Sequence, residues 1–178
     1  MADYTKIIPF IKNAEGGYVN DPTDAGGETN NGVTYKTWCA FYGSDAHTRF
    51  MTMVDADWAV IFKKEYWDAV CADSINSQRI AEELAEWAWG SGRYYPSYSI
   101  QTVLHNYFGA YALNMDGTIG AQTVQLINAT DEKELYKHIV NERFKFLAHI
   151  PINTPSQAKY IDGWINRLCN LLFTEVVL

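Results

Sequence analysis

The fold is decided by the stretch DYTKIIPFIKNA-EGGYVNDPTDAGGETNNGVT, residues 3–34. Its first part places apolar residues on one helical face and stops at Gly16-Gly17, which predicts a helix over residues 3–14 that ends beside Glu15. Residues 18–33 are dense in Gly, Asn, Asp, Pro and Thr, which form turns and do not build a core. The segment therefore predicts a helix followed by an irregular loop or short β-hairpin.

The rest of the chain alternates helical patterns with turn signals. Three pairs have the spacing of a capping box at a helix start: Thr52 with Asp55, Asp131 with Glu134, and Thr154 with Gln157. Apolar residues recur at helical spacing over 34–42, 52–66, 78–89, 100–108, 124–127, 131–146 and 154–172. The architecture is therefore predicted to be mainly α.

Composition limits the kind of fold. With 178 residues and 48% apolar content, the chain can bury the core of one compact domain, or of a larger lobe and a small one. The three cysteines, Cys39, Cys71 and Cys169, are odd in number and lack CxxC spacing, so we expect small buried hydrophobic residues and not disulfides. The four histidines share no metal-ligand spacing, and we expect no metal site and no cofactor.

Charge and hydropathy exclude several partners. The net charge is −7 and the basic residues stand singly, which argues against a nucleic-acid partner. No apolar run is long enough to span a membrane, and the N-terminus lacks the pattern of a secretory leader. We therefore expect a soluble monomer with no membrane insertion and no export signal of its own.

Acidic side chains concentrate in the loop after the first predicted helix. Glu15, Asp21, Asp24, Glu28 and Thr29 lie there among glycines that let a backbone approach a ligand closely. Hydrolysis of a glycosidic bond needs one carboxylic acid to protonate the leaving oxygen and usually a second carboxylate to activate water. The loop can supply both, although such a loop is also typical of a solvated surface or a cation site.

The expected surroundings of these carboxyl groups suit an acid and a base. At a helix C-terminus Glu15 faces the negative end of the helix dipole, and the rings of Tyr18 or Trp38 can shield it from water. Both effects favour the protonated form of Glu15. Asp21 and Asp24 lie on a polar loop, where we expect them to stay ionised. Acid–base catalysis uses such a difference between two carboxyl groups.

The run from Glu15 to Thr34 resembles the signature of glycoside hydrolase family 108, the N-acetylmuramidases found as phage lysins and secretion-associated proteins. Further likenesses to that family extend over nearly the whole chain. They lie at 65–68 (EYWD), 86–92 (EWAWGSG), 116–123 (DGTIGAQT) and 163–167 (GWINR). The resemblance implies a lysozyme-like helical fold, with a catalytic region over 1–93 and a helical, peptidoglycan-binding-like region over 94–178 packed on it.

The resemblance also implies an activity and roles for individual residues. It makes Glu15 the catalytic acid that cleaves the β-1,4 bond between N-acetylmuramic acid and N-acetylglucosamine in peptidoglycan. A wider likeness to phage-type lysozymes suggests that Asp24 activates or orients the water and that Thr29 holds it. Asp21 is an equally close carboxylate and stays an alternative partner of Glu15.

Three residues are expected to contact substrate: Tyr18, Asp21 and Glu86. Tyr18 lies three residues after Glu15 and is expected to stack on a sugar or to pack in the loop. Glu86 stands where the family commonly has Asp, and Gly90 where it commonly has Asn. Glu86 is therefore either a substrate contact at a helix end or, with Glu82, part of a solvated helix edge.

Other aromatic residues and one turn have two interpretations each. Trp38 and the cluster Tyr94, Tyr95 and Tyr98 either line a sugar groove or pack within the protein. Asp116-Gly117 either helps to bind peptidoglycan, as the resemblance implies, or is only a tight turn before a helix.

The leading functional hypothesis is a hydrolytic muramidase that acts on peptidoglycan glycan strands. The alternatives are a lytic transglycosylase, in which the 6-hydroxyl of the sugar attacks in place of water, and a non-catalytic wall-binding or secretion-associated protein. We expect synthesis in the cytoplasm and action on the cell wall, in the periplasm or outside the cell, after release through a pore or a dedicated export system.

Overall fold

The structure of the protein, a computed structural model, describes residues 1–14, 16–20 and 27–173. The chain divides into two units, one formed by Thr5–Glu65 and the other by Met1–Tyr4 with Tyr66–Leu178. Helices dominate the described residues of both units, and a single two-stranded sheet is described in the first. The predicted mainly α architecture is confirmed, and of the two forms predicted after the first helix, an irregular loop or a short β-hairpin, the described residues contain the hairpin.

The unit Thr5–Glu65 combines short helices with the sheet. Its elements are α1 (Ile8–Ala14), β1 (Thr29–Asn30), β2 (Val33–Thr34), α2 (Tyr35–Tyr42), α3 (His47–Met51) and α4 (Asp55–Phe62). A 3-10 turn, Tyr4–Lys6, precedes α1, so the helix predicted over 3–14 is interrupted. Pro9 lacks the N–H that would donate to the carbonyl of Thr5, which explains why α1 starts only one residue before it.

The sheet is a hairpin closed by a two-residue turn. Thr29 pairs with Thr34 and Asn30 with Val33, leaving Asn31 and Gly32 between the strands. Both turn residues have positive φ, 48° and 77°, which is the backbone that an Asn-Gly turn adopts most readily. The buried Asn30 side chain donates to the carbonyl of Phe50 at 2.6 Å, and this bond ties the hairpin to α3.

Helix α2 begins and ends where the sequence predicts. Thr34 caps it, since its hydroxyl accepts a hydrogen bond from the N–H of Thr37 at 3.2 Å. Gly43 ends it with φ 83°, a conformation that side chains with a Cβ rarely adopt. Trp38 on this helix is fully buried and donates from Nε1 to the carbonyl of Ala46 at 3.2 Å.

The capping box predicted for Thr52 and Asp55 is wrong. The Thr52 hydroxyl donates back to the carbonyl of Thr48 at the end of α3, a short helix that the sequence pattern did not predict. Helix α4 begins at Asp55 after Val54, which provides no side-chain cap. The Asp55 carboxylate instead forms an ion pair with Lys12 of α1.

The other unit is built from longer helices. Its elements are α5 (Gln78–Ser91), α6 (Tyr94–Phe108), α7 (Ala121–Ala129), α8 (Glu132–Asn153) and α9 (Ile161–Phe173), with 3-10 turns at Asp68–Val70, Ala72–Ser74 and Pro155–Tyr160. Its fully buried side chains include Leu84, Trp87, Ile100, Leu104, Leu135, Ile139 and Leu168, contributed by α5, α6, α8 and α9. Burial of such side chains stabilises the unit by about 1.5–3 kcal/mol for each large apolar residue.

The capping boxes predicted at Asp131 and Thr154 lie in this unit, and only the first is observed. Asp131 caps α8 as predicted, since its Oδ1 accepts from the N–H of Glu134 at 2.9 Å. The box at Thr154 is wrong, because the backbone carbonyl of Thr154, and not its hydroxyl, accepts from the N–H of Gln157 at 2.9 Å. That bond belongs to the 3-10 turn Pro155–Tyr160, and α9 starts only after it.

The predicted boundary between residues 93 and 94 falls in the short turn between α5 and α6. Both helices belong to the same compact unit. The division into regions 1–93 and 94–178 stays a prediction.

All three cysteines are free, and each is partly exposed, not fully buried as expected. Across the described ranges, no helix combines the length and apolar character needed to cross a bilayer.

Candidate functional site

The predicted acid follows the last residue of a helix. Helix α1 ends at Ala14, and Glu15 comes next in the sequence. Glu15, Asp21 and Asp24 lie outside the described residues, so their roles as acid and water-activating base stay predictions. The described residues on both sides of them show how the loop is anchored.

A backbone bridge joins the two ends of this loop. Val19 donates to the carbonyl of Thr29 at 2.8 Å, and Thr29 donates to the carbonyl of Val19 at 2.9 Å. Side chains alternate between the faces of paired segments, so Tyr18 and Glu28, each one residue before the bridge, lie on the same face. The bridge therefore brings Tyr18 close to Glu28.

Three polar side chains meet there, and we call Tyr18, Glu28 and His47 the Glu28 cluster. The Tyr18 hydroxyl donates to Glu28 Oε1 at 2.9 Å, and His47 Nε2 lies 2.7 Å from the same oxygen. The hydrogen bond to Glu28, with burial and the negative charge of Glu28, raises the pKa of Tyr18. The Glu28 side chain is 17% exposed, whereas Tyr18 is 42% exposed, so a partly buried carboxylate holds an exposed ring.

Aromatic residues support the Glu28 cluster from behind. The Tyr35 ring meets His47 edge-on, with centroids 5.0 Å apart, and its hydroxyl donates to the carbonyl of Ser44 at 2.7 Å. The backbone N–H of Tyr35 donates to the carbonyl of Glu28 at 2.7 Å. Burial is the first cause that raises the pKa of Tyr35. The cluster is thus fixed both through its side chains and through the backbone of Glu28.

Thr29 lies on the other face of the bridge. Its hydroxyl donates to the carbonyl of Gly27 at 3.3 Å, and its side chain is partly exposed. The structure therefore groups Tyr18 with Glu28 but not with Thr29. The role of Thr29 as the residue that holds the attacking water stays a prediction.

No pattern in the sequence predicts that Glu28 and His47 are partners. Nineteen positions separate the two residues, and no local periodicity relates them. Trp38, considered as a sugar contact, belongs to the core, since it is fully buried.

Glu86 occupies an ionic core in the unit that contains α5. Its Oε1 accepts from Arg167 Nε and its Oε2 from Arg143 Nη2, while Arg143 Nη1 donates to Glu83 Oε1 at 2.9 Å. We call Glu83, Glu86, Arg143 and Arg167 the buried ion cluster. The expectation of a solvated edge is wrong for Glu86, which is fully buried. A carboxylate enclosed by two guanidinium groups is not placed to bind a sugar, so the proposed substrate contact has no support here.

The pKa values of the two glutamates in this cluster are shifted in opposite directions. Burial raises the pKa of Glu83, and the attraction of Arg143 offsets this effect only in part. Burial also acts to raise the pKa of Glu86, but Arg143 and Arg167 together outweigh it, so the pKa of Glu86 is lowered. Glu86 is therefore the carboxylate held firmly in its charged form.

No group of three or more His, Cys, Asp or Glu side chains that could hold a metal ion occurs within 1–14, 16–20 and 27–173.

Comparison with known proteins gives two family matches. Residues 8–92 match the family described as glycosyl hydrolase 108, and residues 95–169 match a family described as a predicted peptidoglycan domain. Among solved structures, the chain resembles SagA of Brucella abortus with a TM-score of 0.75 and 23% sequence identity, over 94% of this chain and 90% of that one. No curated protein matches the chain. The similarity to SagA establishes the fold, and the expected lysozyme-like helical fold is confirmed.

Proposed function

Because residues 8–92 belong to the glycosyl hydrolase 108 family and the chain is thus a peptidoglycan-acting glycosidase, we propose that it is an N-acetylmuramidase. It would hydrolyse the β-1,4 bond between N-acetylmuramic acid and N-acetylglucosamine. The observation that carries the proposal is the arrangement after α1. Helix α1 ends at Ala14, directly before Glu15 in the sequence, and the bridge between Val19 and Thr29 holds Tyr18 against Glu28.

The proposed reaction uses a carboxylic acid and a water molecule. Glu15 gives its proton to the glycosidic oxygen as the bond from that oxygen to the anomeric carbon breaks. Asp24, with Asp21 as the alternative, removes a proton from the water that attacks the anomeric carbon, and Thr29 holds this water. The products are a reducing sugar and a sugar with a free 4-hydroxyl.

The Glu28 cluster has a positioning role in this proposal. Glu28 fixes the exposed Tyr18 ring through the hydrogen bond of 2.9 Å, so the ring does not have to be ordered when substrate binds. A Tyr18 ring held three residues from Glu15 can contact the sugar whose bond is cleaved. Glu28 acts through Tyr18 and is not assigned a chemical step.

The decisive experiment compares the wild type with Glu15→Gln on purified sacculi. We expect the variant to lose at least about a hundredfold in cleavage rate, as removal of a general acid predicts. Glu142→Gln, at a surface position on α8, is the matched control and should cleave normally. If Glu15→Gln cleaves as fast as the wild type, the assignment of Glu15 is wrong.

Mass spectrometry of the products separates hydrolysis from transglycosylation. Hydrolysis leaves reducing N-acetylmuramic acid ends, whereas attack by the 6-hydroxyl leaves anhydro ends. Anhydro ends alone would make the protein a lytic transglycosylase, and binding to sacculi without any cleavage would make it a wall-binding protein.

Its location and oligomeric state belong to the same proposal. A peptidoglycan substrate requires that the protein reach the wall, and we propose release through a pore or a dedicated export system after cytoplasmic synthesis. Cell fractionation before and after lysis tests this route, and sedimentation velocity tests the proposed monomer.

A further inference from the structure

Three tyrosines at the start of α6 expose their rings. Tyr94, Tyr95 and Tyr98 are 54%, 47% and 39% exposed. Positions 94 and 98 are four apart on the helix and therefore share one face. We call these three residues the tyrosine platform, because exposed rings grouped in this way commonly mark an interaction surface.

The rings of the platform are held in place by one another and by the core. Tyr94 and Tyr98 lie nearly parallel, at 14° with centroids 5.7 Å apart. Tyr95 packs on Phe146 at 4.6 Å, and Phe146 packs on the buried Trp87 at 5.5 Å. A continuous series of rings thus joins the platform to the interior of the unit.

The turn at Asp116-Gly117 provides the seat for Tyr94. A Cβ at Gly117 would lie only 2.4 Å from the Tyr94 ring, and Gly117 has φ 73°, so only glycine suits this position. Buried Gln101 holds the turn, since its Oε1 accepts from the N–H of Gly117 at 2.8 Å and its Nε2 donates to Asp116 Oδ1 at 3.0 Å. The Asp116 carboxylate also accepts from the N–H of Thr118 at 2.8 Å.

These contacts separate two roles of the Asp-Gly turn. The hydrogen bond from Gln101, with that from the Thr118 backbone, lowers the pKa of Asp116, and the carboxylate serves the turn itself. What the turn presents to solvent is the ring that rests on Gly117. The turn therefore shapes this surface indirectly, through the position of the Tyr94 ring.

We propose that the tyrosine platform binds the glycan strand of peptidoglycan as a non-catalytic contact. Preordered tyrosine rings offer a flat apolar face for sugar C–H groups, and their hydroxyl groups can exchange hydrogen bonds with sugar hydroxyls at low entropic cost. Arg93, exposed directly before Tyr94, adds a positive charge suited to the carboxylates of wall strands. The platform lies at the start of the matched peptidoglycan domain, residues 95–169. This inference rests on the proposed function for the identity of the polymer.

The test measures binding without cleavage. In a Glu15→Gln background, Tyr94→Ala with Tyr98→Ala is compared with the parent for co-sedimentation with purified sacculi and for binding to N-acetylglucosamine oligomers. We expect the dissociation constant to rise about tenfold or more, as loss of two ring contacts predicts. Tyr94→Phe with Tyr98→Phe keeps the rings and should retain most of the affinity.

Tyr111→Ala is the matched control, because Tyr111 is 75% exposed in the same unit but follows the far end of α6. It should bind sacculi normally. The proposal fails if the double alanine variant binds as the parent does, or if Tyr111→Ala loses as much affinity. It also fails if the alanine substitutions dissociate a dimer and leave sacculus binding unchanged. None of these results depends on whether Glu15 catalyses hydrolysis.

Gly117→Ala tests the seat without altering any aromatic residue. The new methyl group must displace the Tyr94 ring, so sacculus binding should weaken although all three tyrosines remain. Gly120→Ala, where a Cβ meets no atom within 4 Å, is its control. Unchanged binding by a folded Gly117→Ala variant would contradict the role of the turn.

Discussion

At the residue scale, Glu28 joins a tyrosine and a histidine that lie far from each other in the sequence. Both approach the same carboxylate oxygen, at 2.9 and 2.7 Å. A charged acceptor makes these hydrogen bonds stronger than neutral ones. Glu28 therefore fixes the Tyr18 ring, which follows the predicted acid Glu15 by three residues in the sequence.

Glu28→Gln should lower the pKa of Tyr18 toward its ordinary value. The hydrogen bond to Glu28 is the first cause of the raised pKa, and the glutamine also removes the negative charge. NMR titration of labelled tyrosine rings measures the change, with Tyr18→Phe for assignment. Tyr42, whose pKa is raised by burial and by Asp57, should be unaffected. An unchanged pKa for Tyr18 would show that the bond does not persist in solution.

The buried ion cluster predicts a large cost for losing Arg143. Arg143→Ala leaves Glu83 and Glu86 in the core with one guanidinium fewer, and we expect it to lower the free energy of unfolding by about 3–5 kcal/mol. Lys145→Ala on the same helix removes only an exposed pair with Glu142, which predicts a loss of about 0.5 kcal/mol or less. Urea unfolding measures the free energy of unfolding of both variants. Equal losses would contradict the assignment of Arg143 to a buried ion cluster.

The same cluster predicts how stability depends on pH. The lowered pKa of Glu86 contributes stability above its unfolded-state value, and this contribution is lost as pH falls through the folded-state pKa. The raised pKa of Glu83 has the opposite sign, because stability falls as pH rises from its unfolded-state value through its folded-state pKa. Glu86→Gln should therefore reduce the loss of stability as pH falls, whereas Glu83→Gln should not. The free energy of unfolding of both variants, measured across acidic pH, tests this difference.

At the element scale, the hairpin depends on its Asn-Gly turn. Gly32→Ala forces a side chain into φ 77° and should cost about 1–2 kcal/mol of unfolding free energy. Gly163→Ala, inside α9 where a Cβ meets open space, should instead stabilise the protein by about 0.5–1 kcal/mol. Thermal and urea unfolding of both variants measure the contrast. A neutral Gly32→Ala would indicate that the turn tolerates another backbone conformation.

At the scale of the whole molecule, the net charge of −7 opposes attraction to an anionic wall. Binding to sacculi should therefore hold or strengthen as salt rises to about 0.15 M, where the screening length is about 8 Å. A basic wall-binding protein assayed in parallel should lose affinity over the same range. A steep loss of binding by this protein would point to a positive surface that acts against its net charge.

Local sequence signals predicted much of the fold because the interactions behind them are local. Helices α2 and α6 end before Gly43 and Gly109, directly after the predicted spans 34–42 and 100–108, whereas α5 continues two residues beyond the predicted end at residue 89 and stops before Gly92. The capping boxes at Thr52 and Thr154 were wrong, since the same residue types can bond to a preceding turn or open a 3-10 turn. Short motifs therefore predict that a helix is near, but not which backbone group the cap contacts.

By itself, the sequence determined the mainly α class, the end of the first helix at Ala14 and the irregular or hairpin segment that follows it, through turn chemistry and apolar periodicity. Only the tertiary structure decided that Glu28 partners Tyr18 and His47, that Glu86 lies in an ionic core, and that Gly117 seats Tyr94. These contacts join residues between 10 and 81 positions apart. Partners at such distances are chosen by packing and desolvation in three dimensions, for which a linear pattern carries no signal.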